Sequence, residues 1–227
     1  MKLGVISDIH SNLPALEAVV AQLDRLGAER VICAGDLVGY NSFADGVLGL
    51  VKRRRMVSIR GNHDRAMTSG DTSDLSDTAA EAVGWTRKHL APGHLAWLGR
   101  LLARRRLKMG GRRILVVHGS PLDEGEYVLP VTEDRWPFGN PGADLLIMGH
   151  THVQWTDRFE RYGLTVVNPG SVGQPRDTDP RAAFAVIDTR DLSVRLHRVE
   201  YDIGKTAGAV IAAGLPARLA ERLYVGR

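Results

Sequence analysis

The chain has 227 residues, of which 44% are hydrophobic and 25% charged, and its formal net charge is +4 at pH 7. This composition is typical of a globular protein, and the single cysteine, Cys33, excludes an internal disulfide framework. There is no apolar run of the roughly 18 residues that a membrane helix needs, and the N-terminal apolar run is too short for a signal peptide. We therefore expect a cytoplasmic protein with no membrane partner.

Six short apolar runs predict buried β-strands, because each is about four residues long and ends at glycine or a polar residue. They cover residues 3–6, 31–34, 56–59, 114–117, 145–148 and 164–167. Beyond Gly163 the pattern changes to alternating strands at 182–187 and 194–201 with no helix between them. That change predicts a second, partly antiparallel sheet.

Helical patterns fill the gaps between these strands. The first is expected to begin at Ser11 or Asn12 as N-cap, with Pro14 in its first turn, and to end at Gly27. Further helices are predicted over residues 43–53, 78–90 and 93–104, with a polar loop at 68–76. In the last helix Leu95, Leu98 and Leu102 are expected to face inward.

Five polar motifs stand directly after predicted strands. They are Asp8-Ile9-His10, Gly35-Asp36, Gly61-Asn62-His63-Asp64, His118-Gly119 and Gly149-His150-Thr151-His152. In open α/β sheets, ligands bind in the crevice beyond the carboxyl ends of the strands, so these motifs are expected to line one pocket. A single histidine is more often a surface or core residue than a ligand, but five of the eight histidines fall in these motifs. The other three, His89, His94 and His197, are expected to be solvated.

The side chains in these motifs are those of a metal site. Two carboxylates, one amide and four imidazoles offer oxygen and nitrogen ligands without any thiolate, which suits a hard-to-borderline cation. Seven ligands are too many for one tetrahedral ion and fit two ions that share a carboxylate. The seven candidates are Asp8, His10, Asp36, Asn62, His118, His150 and His152.

In their order and residue pattern, the motifs resemble those of the calcineurin-like metallophosphoesterase superfamily across residues 1 to about 200. Segments 35–40, 118–121 and 168–176 look like its small single-domain bacterial and archaeal branch of phosphodiesterases and diadenosine-tetraphosphatase-like proteins. One departure is Asn41-Ser42, where the branch usually has Gly-Pro. The resemblance implies an α/β fold, in part α+β, with two packed mixed sheets between helical layers in a four-layer αββα sandwich. No linker divides the motifs, so we expect residues 1–227 to form one domain.

Carried over by residue, the resemblance implies one ion held by Asp8, His10, Asp36 and His152. A second ion would be held by Asp36, Asn62, His118 and His150, with Asp36 as the bridge. Mn²⁺ is the first candidate, with Fe²⁺, Zn²⁺, Ni²⁺ or Co²⁺ as alternatives. The family pattern implies attack by a metal-bridging hydroxide, with His63 as general acid oriented by Asp64. The alternative role for Asp64 is to cap the following helix or turn.

Arg176 is predicted to contact a phosphate or the distal part of the substrate, because a guanidinium can hold phosphate oxygens through two hydrogen bonds, and Asn62 is predicted to be a second substrate contact. The alternative is a surface ion pair of Arg176 with Asp177 or Asp179. We interpret the basic clusters at residues 52–55, 104–106 and 112–113 as solvated residues that lie at helix ends or just before strands. We therefore expect no specific nucleic-acid binding.

The predicted function is that of a dinuclear metal-dependent phosphodiesterase acting on a small phosphorylated substrate, with a nucleotide as one candidate. The alternatives are a phosphomonoesterase or phosphoprotein phosphatase, a diadenosine-tetraphosphatase-like hydrolase, and a catalytically inactive scaffold, as one retromer subunit resembling the family is. A scaffold would have no need to keep His63, which favours the enzyme. A homo-oligomer is compatible with the sequence.

Overall fold

The computed structural model describes all 227 residues and contains ten strands and seven α-helices. In chain order they are β1 (Lys2–Ile6), α1 (Leu13–Arg25), β2 (Arg30–Cys33), α2 (Ala44–Arg53), β3 (Val57–Ser58), α3 (Asn62–Ser69), α4 (Asp77–His89), α5 (Pro92–Leu98), β4 (Arg104–Met109), β5 (Arg112–Val117), β6 (Leu145–Ile147), β7 (Gln154–Phe159), β8 (Leu164–Pro169), β9 (Ala182–Asp188), β10 (Ser193–Val199), α6 (Ile203–Ala212) and α7 (Ala217–Val225).

The strands form two mixed five-stranded sheets, which confirms the predicted fold class. The first has the order β10-β9-β1-β2-β3, with β1, β2 and β3 parallel and β9 and β10 antiparallel to their neighbours. The second has the order β4-β5-β6-β8-β7, with three parallel central strands and an antiparallel strand at each edge. The polar motifs therefore follow parallel strands of both sheets, with β3 at the edge of the first.

The two sheets pack face to face through alternate residues of their strands. Leu3 and Val5 of β1 share one apolar cluster with Ile114 and Val116 of β5, because successive side chains of a strand point to opposite faces. The opposite face of the first sheet packs on the helices, where Phe184 of β9 belongs to a second cluster. This arrangement places the strand ends of both sheets along one edge of the sandwich.

The outer face of the second sheet has a different cover. Its cluster includes Leu115 and Val117 of β5 together with Val128 and Trp136, which belong to the irregular segment between β5 and β6. None of the seven α-helices contributes a buried residue to this cluster. All the α-helical packing therefore lies with the first sheet, while a long loop with one 3₁₀ turn covers the second.

All six predicted strands are present within two residues of their expected ends, and the first three predicted helices are confirmed. Asn12 is the N-cap of α1, since its Oδ1 accepts a hydrogen bond from the Ala15 amide at 3.2 Å. Pro14 stands in the first turn, and Gly27 has a φ of 74° just after the helix. The local signals of start and stop were therefore sufficient here.

The helix predicted over 93–104 is wrong in its C-terminal half. The helix ends at Leu98, Leu102 is 60% exposed, and residues 104–109 form β4, which pairs with β5 along six residues. Arg104 and Arg106 therefore lie on an edge strand and not at a helix end. β4 forms a hairpin with β5 through the Gly110-Gly111 turn, whose residues both have positive φ, and this strand pairing overrode the local helical pattern.

Other elements were not predicted, namely α3, α6, α7 and β7. The expected sheet membership was also wrong in part, because β9 and β10 join β1 in the first sheet. Only β8 of the three C-terminal strands belongs to the second sheet. None of the helices has the length and apolar character needed to cross a lipid bilayer.

Candidate metal centre

The loops that follow β1, β2, β5 and β6 meet at one edge of the sandwich and are joined through their backbones. The Asp8 amide donates to the Gly35 carbonyl at 3.0 Å, and the His10 amide donates to the Asp36 carbonyl at the same distance. Across the second sheet, the Gly149 amide donates to the His118 carbonyl at 2.8 Å. Together with Asn62 at the start of α3, these loops bring together all seven predicted ligand residues, which are at least nine-tenths buried.

Most of these residues have an unusual backbone conformation. Five of the seven have positive φ, a region that costs a residue with a side chain on the order of 1–2 kcal/mol. They are Asp8 (53°), His10 (47°), Asp36 (51°), His150 (68°) and His152 (60°). Such strain persists only where the surroundings enforce it, and it concentrates at functional sites.

Two motif glycines allow the loops to approach this closely. A Cβ on Gly61 would lie 2.2 Å from Asp36 Oδ1, and a Cβ on Gly149 would lie 2.0 Å from Ser7 Oγ and 2.9 Å from Asp8 Oδ2. These distances are far below van der Waals contact. Both glycines are therefore part of the construction of the site.

The first metal-capable group consists of Asp8, His10 and His152, whose donor atoms all lie within 4.8 Å of one another. The Nδ1 atoms of His10 and His152 lie 3.3 and 2.5 Å from the carbonyl oxygens of Val38 and Gln174. These contacts assign the Nδ1–H tautomer to both rings and leave each Nε2 with a lone pair.

The two Nε2 atoms are only 3.1 Å apart, and His152 Nε2 is 3.3 Å from Asp8 Oδ1, a buried oxygen without a hydrogen-bond partner. Two facing lone pairs beside an unpaired carboxylate oxygen repel one another. A cation between them removes that repulsion, so this donor set fits a metal ion.

The second group consists of Asp36, His118 and His150. His118 Nδ1 lies 2.8 Å from the Ala34 carbonyl, while its Nε2 is 3.3 Å from Asp36 Oδ2 and 3.1 Å from Asn62 Oδ1. His150 differs, because its Nε2 lies 3.0 Å from the Gly125 carbonyl and Nδ1 is the remaining nitrogen. Asp36 Oδ2 is also 3.6 Å from His10 Nε2, so this carboxylate lies between the two groups.

The electrostatics of the site favour bound cations. Burial lowers the pKa of His150 to about 4 and holds the pKa of His10 well below its usual value, so both rings are neutral and able to coordinate. Burial also opposes a charge on His118, yet Asp36 beside it raises the pKa of His118 to about 10. The carboxylates thus attract positive charge strongly enough to protonate a fully buried ring.

The structure contradicts the predicted pairing of His63 with Asp64. The Asp64 carboxylate accepts hydrogen bonds from the amides of Leu37, Val38 and Gly61 at 3.0 to 3.2 Å, and His63 Nδ1 has no hydrogen-bond partner. Asp64 therefore caps α3 and ties it to the loop after β2. No carboxylate pairs with the His63 ring, and burial lowers the pKa of His63 to about 4.

His63 nevertheless lies in the site. Its backbone amide donates to Asp36 Oδ1 at 2.9 Å, and its ring centroid lies 4.7 Å from that of His10. Its donor atoms also form a third metal-capable group with those of His10 and Asp36. The geometry thus allows two roles for His63, proton transfer or coordination.

A cleft of about 800 Å³ opens above the metal-capable groups, and His63 and Arg176 line it. Arg176 Nη2 donates to Tyr40 Oη at 3.0 Å, and Nη1 contacts Tyr127 Oη at 3.4 Å. The predicted alternative, a surface ion pair, is wrong, because Asp177 pairs with Arg198 and Asp179 with Arg181.

Asn41, where the sequence departs from the branch pattern, directly follows the cleft residue Tyr40. The fully buried Asn41 side chain donates its Nδ2–H to the His10 carbonyl at 2.8 Å. Asn41 therefore supports the His10 loop and does not line the cleft.

Residues 1–192 match the calcineurin-like phosphoesterase superfamily domain. The chain belongs to this family. Calcineurin-like phosphoesterases are metal-dependent hydrolases of phosphate esters, and this member carries three overlapping groups of aspartate and histidine residues able to hold metal.

Three relatives illustrate the similarity of this calcineurin-like phosphoesterase to known proteins. A metallophosphoesterase of Sphaerobacter thermophilus, known from a crystal structure, is 33% identical with a TM-score of 0.82, and the alignment covers 100% of this chain and 99% of the other. An uncharacterised protein of Methanocaldococcus jannaschii is 32% identical over 99% of this chain and 98% of its own length. The phosphodiesterase YfcE of Escherichia coli is 27% identical over 86% of this chain and 91% of its own length.

The sequence did not reveal several cleft residues of this family member. Tyr127 lies in the irregular segment before β6, and Arg222 lies in α7, beyond the matched residues 1–192. The buried Leu219 and Leu223 of α7 stand four positions apart, which was a usable helix signal, but nothing local placed Arg222 in the cleft. His89, His94 and His197, which were expected to be solvated, lie outside the site, and His94 Nδ1 contacts Asp45 at 2.6 Å.

Proposed function

We propose that this protein is a dinuclear metal-dependent phosphodiesterase. The observation that carries the proposal is the pair of metal-capable groups on either side of Asp36 at the base of the cleft. In this proposal Asp8, His10, Asp36 and His152 hold one ion, and Asp36, Asn62, His118 and His150 hold the other. Mn²⁺ is the first candidate. The oxygen and imidazole ligands also suit Fe²⁺, Zn²⁺, Ni²⁺ or Co²⁺, which are the alternatives.

Two bound cations would lower the pKa of a water molecule and neutralise the charge of a phosphate. The protein's own contribution begins with the carbonyl oxygens of Val38, Ala34 and Gln174, which contact Nδ1 of three imidazole rings and so orient them. Positioning of this kind is a large part of catalysis in phosphoryl transfer.

His63 is proposed to donate a proton to the leaving oxygen of the ester. Its ring lines the cleft beside Asp36, and its Nδ1 has no partner that would hold the proton in place. An anionic phosphate in contact with the ring favours its protonated form and so opposes the effect of burial. This role needs no hydrogen bond from Asp64, which serves the backbone instead.

Arg176 is proposed to hold the phosphate or the distal part of the substrate. Asn62 is proposed to contact the substrate in addition to its role as a metal ligand. The Arg176 guanidinium has no carboxylate partner, and its buried Nε is free. The diester preference is supported by the similarity to YfcE, which is named a phosphodiesterase. Because the ligands span residues 8–152 and α7 lines the same cleft, we propose that residues 1–227 act as a single domain.

The test is a panel of phosphodiesters and phosphomonoesters, including phosphopeptides and diadenosine tetraphosphate, assayed on protein loaded with Mn²⁺. We expect hydrolysis of diesters at a higher kcat/KM than that of monoesters. Anomalous scattering from crystals of the loaded protein is expected to reveal two ions. A single ion at saturation, or a consistent preference for monoesters, would contradict the proposal.

A further inference from the structure

One wall of the cleft contains two arginines, Arg176 and Arg222, that have no Asp or Glu partner. Neither Arg176 nor Arg222 has an Asp or Glu side chain within ion-pair distance, whereas Arg65 in the same cleft pairs with Glu124 at 2.6 Å and with Asp74 at 2.9 Å. Two guanidinium groups that share one cleft and lack an Asp or Glu partner repel each other, and burial together with Arg176 lowers the pKa of Arg222. Their proximity therefore has a cost unless an anion lies between them.

Both guanidinium groups stand over the same aromatic ring. The Cζ atom of Arg176 is 5.9 Å and that of Arg222 is 5.7 Å from the ring centroid of Tyr40. The Tyr40 hydroxyl already accepts a hydrogen bond from Arg176, so its own proton is free to be donated. The Tyr127 hydroxyl, 3.4 Å from Arg176 Nη1, is in the same situation. Donors from two arginines and two tyrosines thus converge in one part of the cleft.

This group lies directly beside the metal centre. The Tyr40 ring centroid is 4.5 Å from that of His10 and 4.6 Å from that of His63, and the Tyr127 ring centroid is 4.2 Å from that of His150. A ligand that occupies both places therefore needs only a short spacer between its two anionic groups.

The position of Arg222 is fixed by packing. Leu219 and Leu223 of α7 are buried in a cluster that also contains Tyr40 and Val210 of α6. The carbonyl of Gly226, just after α7, accepts a hydrogen bond at 2.9 Å from the Thr178 amide, two residues beyond Arg176. Arg222 Nε donates to the Arg227 main-chain oxygen at 2.7 Å, which is the only hydrogen bond of its side chain, so both Nη atoms are free.

We propose that Arg222, together with Arg176, Tyr40 and Tyr127, forms a second anion subsite, and that the protein prefers phosphate esters that carry a second anionic group a short distance from the scissile phosphate. This inference rests on the proposed function, because it assigns the scissile phosphate to the metal centre. It adds a substrate class to that function and gives the C-terminal helices a role in specificity. Arg222 is a binding residue in this scheme and takes no part in bond cleavage.

Matched substrates test the subsite. The p-nitrophenyl ω-phosphonoalkyl phosphodiesters and the corresponding ω-hydroxyalkyl esters have the same scissile bond and leaving group, and the alkyl chain is lengthened stepwise. We expect the phosphonate ester to be preferred in kcat/KM by roughly tenfold or more at the optimal chain length, because a charge-assisted bidentate contact is gained. The Arg222→Gln variant is expected to lose most of this preference, and Arg222→Lys to keep part of it.

The matched control is Arg218→Gln, which removes the same charge from the same helix at an exposed position that does not line the cleft. This variant is expected to keep the wild-type preference, and metal content and Tm are measured for each variant. The proposal is overturned if the wild type hydrolyses both esters with equal kcat/KM at every chain length, if Arg222→Gln keeps the preference, or if Arg218→Gln loses it equally. The last result would indicate a general electrostatic field.

Isothermal titration calorimetry separates this inference from the proposed function. The probes are an alkane-α,ω-bisphosphonate and the alkyl monophosphonate of the same length, titrated into the Mn²⁺-loaded protein. If neither ester is hydrolysed but the bisphosphonate binds more tightly than the monophosphonate in an Arg222-dependent manner, the subsite stands and the diesterase function fails. If the esters are hydrolysed but both probes bind equally, the function stands and the subsite fails.

Discussion

The base and the wall of the cleft are built in different ways. The base consists of buried side chains on strand-end loops, with strained backbones and carbonyl oxygens that orient the imidazole rings. The wall draws side chains from α3, α7 and irregular loops, and its Tyr127 is 57% exposed. A rigid base suits chemistry that is common to many phosphate esters. An adaptable wall can differ between relatives, so we expect the base to determine the reaction and the wall to determine the substrate.

The largest effect is expected from the base, at Asp36. Because its Oδ2 lies near both His10 and His118, Asp36→Ala or Asp36→Asn should lose both ions. Activity should fall by more than about a hundredfold, because losing even a hydrogen-bond partner of a metal ligand costs about 10- to 100-fold. His118→Ala should chiefly weaken the second ion. Metal content by mass spectrometry after dialysis measures this difference. Equal retention of metal in the two variants would disprove the bridging role.

The next effect concerns His63, where base and wall meet. His63→Ala should slow hydrolysis of an alkyl phosphodiester by roughly 10²–10⁴, and that of a p-nitrophenyl diester far less, because p-nitrophenolate needs little protonation. Metal content should remain at the wild-type level. A loss of metal would instead assign His63 to coordination with His10 and Asp36, the other role that the geometry allows.

A smaller effect is expected in the wall, at Arg176. Arg176→Ala and Arg176→Lys should lower kcat/KM by roughly 10- to 100-fold with metal content intact, since hydrogen bonds to charged groups contribute about 1.5–3 kcal/mol. Arg181→Ala is the matched control, because this neighbouring arginine is bound to Asp179 at the surface. Steady-state kinetics decide the matter, and wild-type values in both Arg176 variants would remove this residue from the binding site.

The smallest effect tests whether the C-terminal helices can be destabilised without a loss of metal from the base of the cleft. Asp202 caps α6 by accepting a hydrogen bond from the Lys205 amide at 2.8 Å, so Asp202→Ala should lower the free energy of unfolding by about 0.5–2 kcal/mol. Chemical denaturation measures that change. Metal content should stay unchanged, and a loss of metal would mean that the C-terminal helices support the base as well.

Local signals alone were enough for much of the first half of the fold. The apolar runs predicted six strands because buried parallel strands are short and continuously apolar, and Asn12, Pro14 and Gly27 marked the limits of α1 because capping depends on a few neighbouring residues. The same local logic failed for β4, where the residues after Leu98 pair with β5, and for β9 and β10, which pair with β1. For β4 the Gly110-Gly111 turn was a local hairpin signal that the helical interpretation missed, whereas the pairing of β9 with β1 joins distant parts of the chain and leaves little trace in a short window of sequence.

The candidate ligands could be chosen from the sequence because parallel strands bring their carboxyl ends to one edge, so motifs after separate strands must meet. The sequence alone thus indicated the family and the residues that the structure brings together at the base of the cleft. Tertiary structure alone decided that Asp64 serves the backbone, that Arg176 has no acidic partner, and that Arg222 of α7 reaches the cleft. The physical reason is that residue chemistry is local, whereas the partner of a side chain depends on packing between elements that are far apart in the chain.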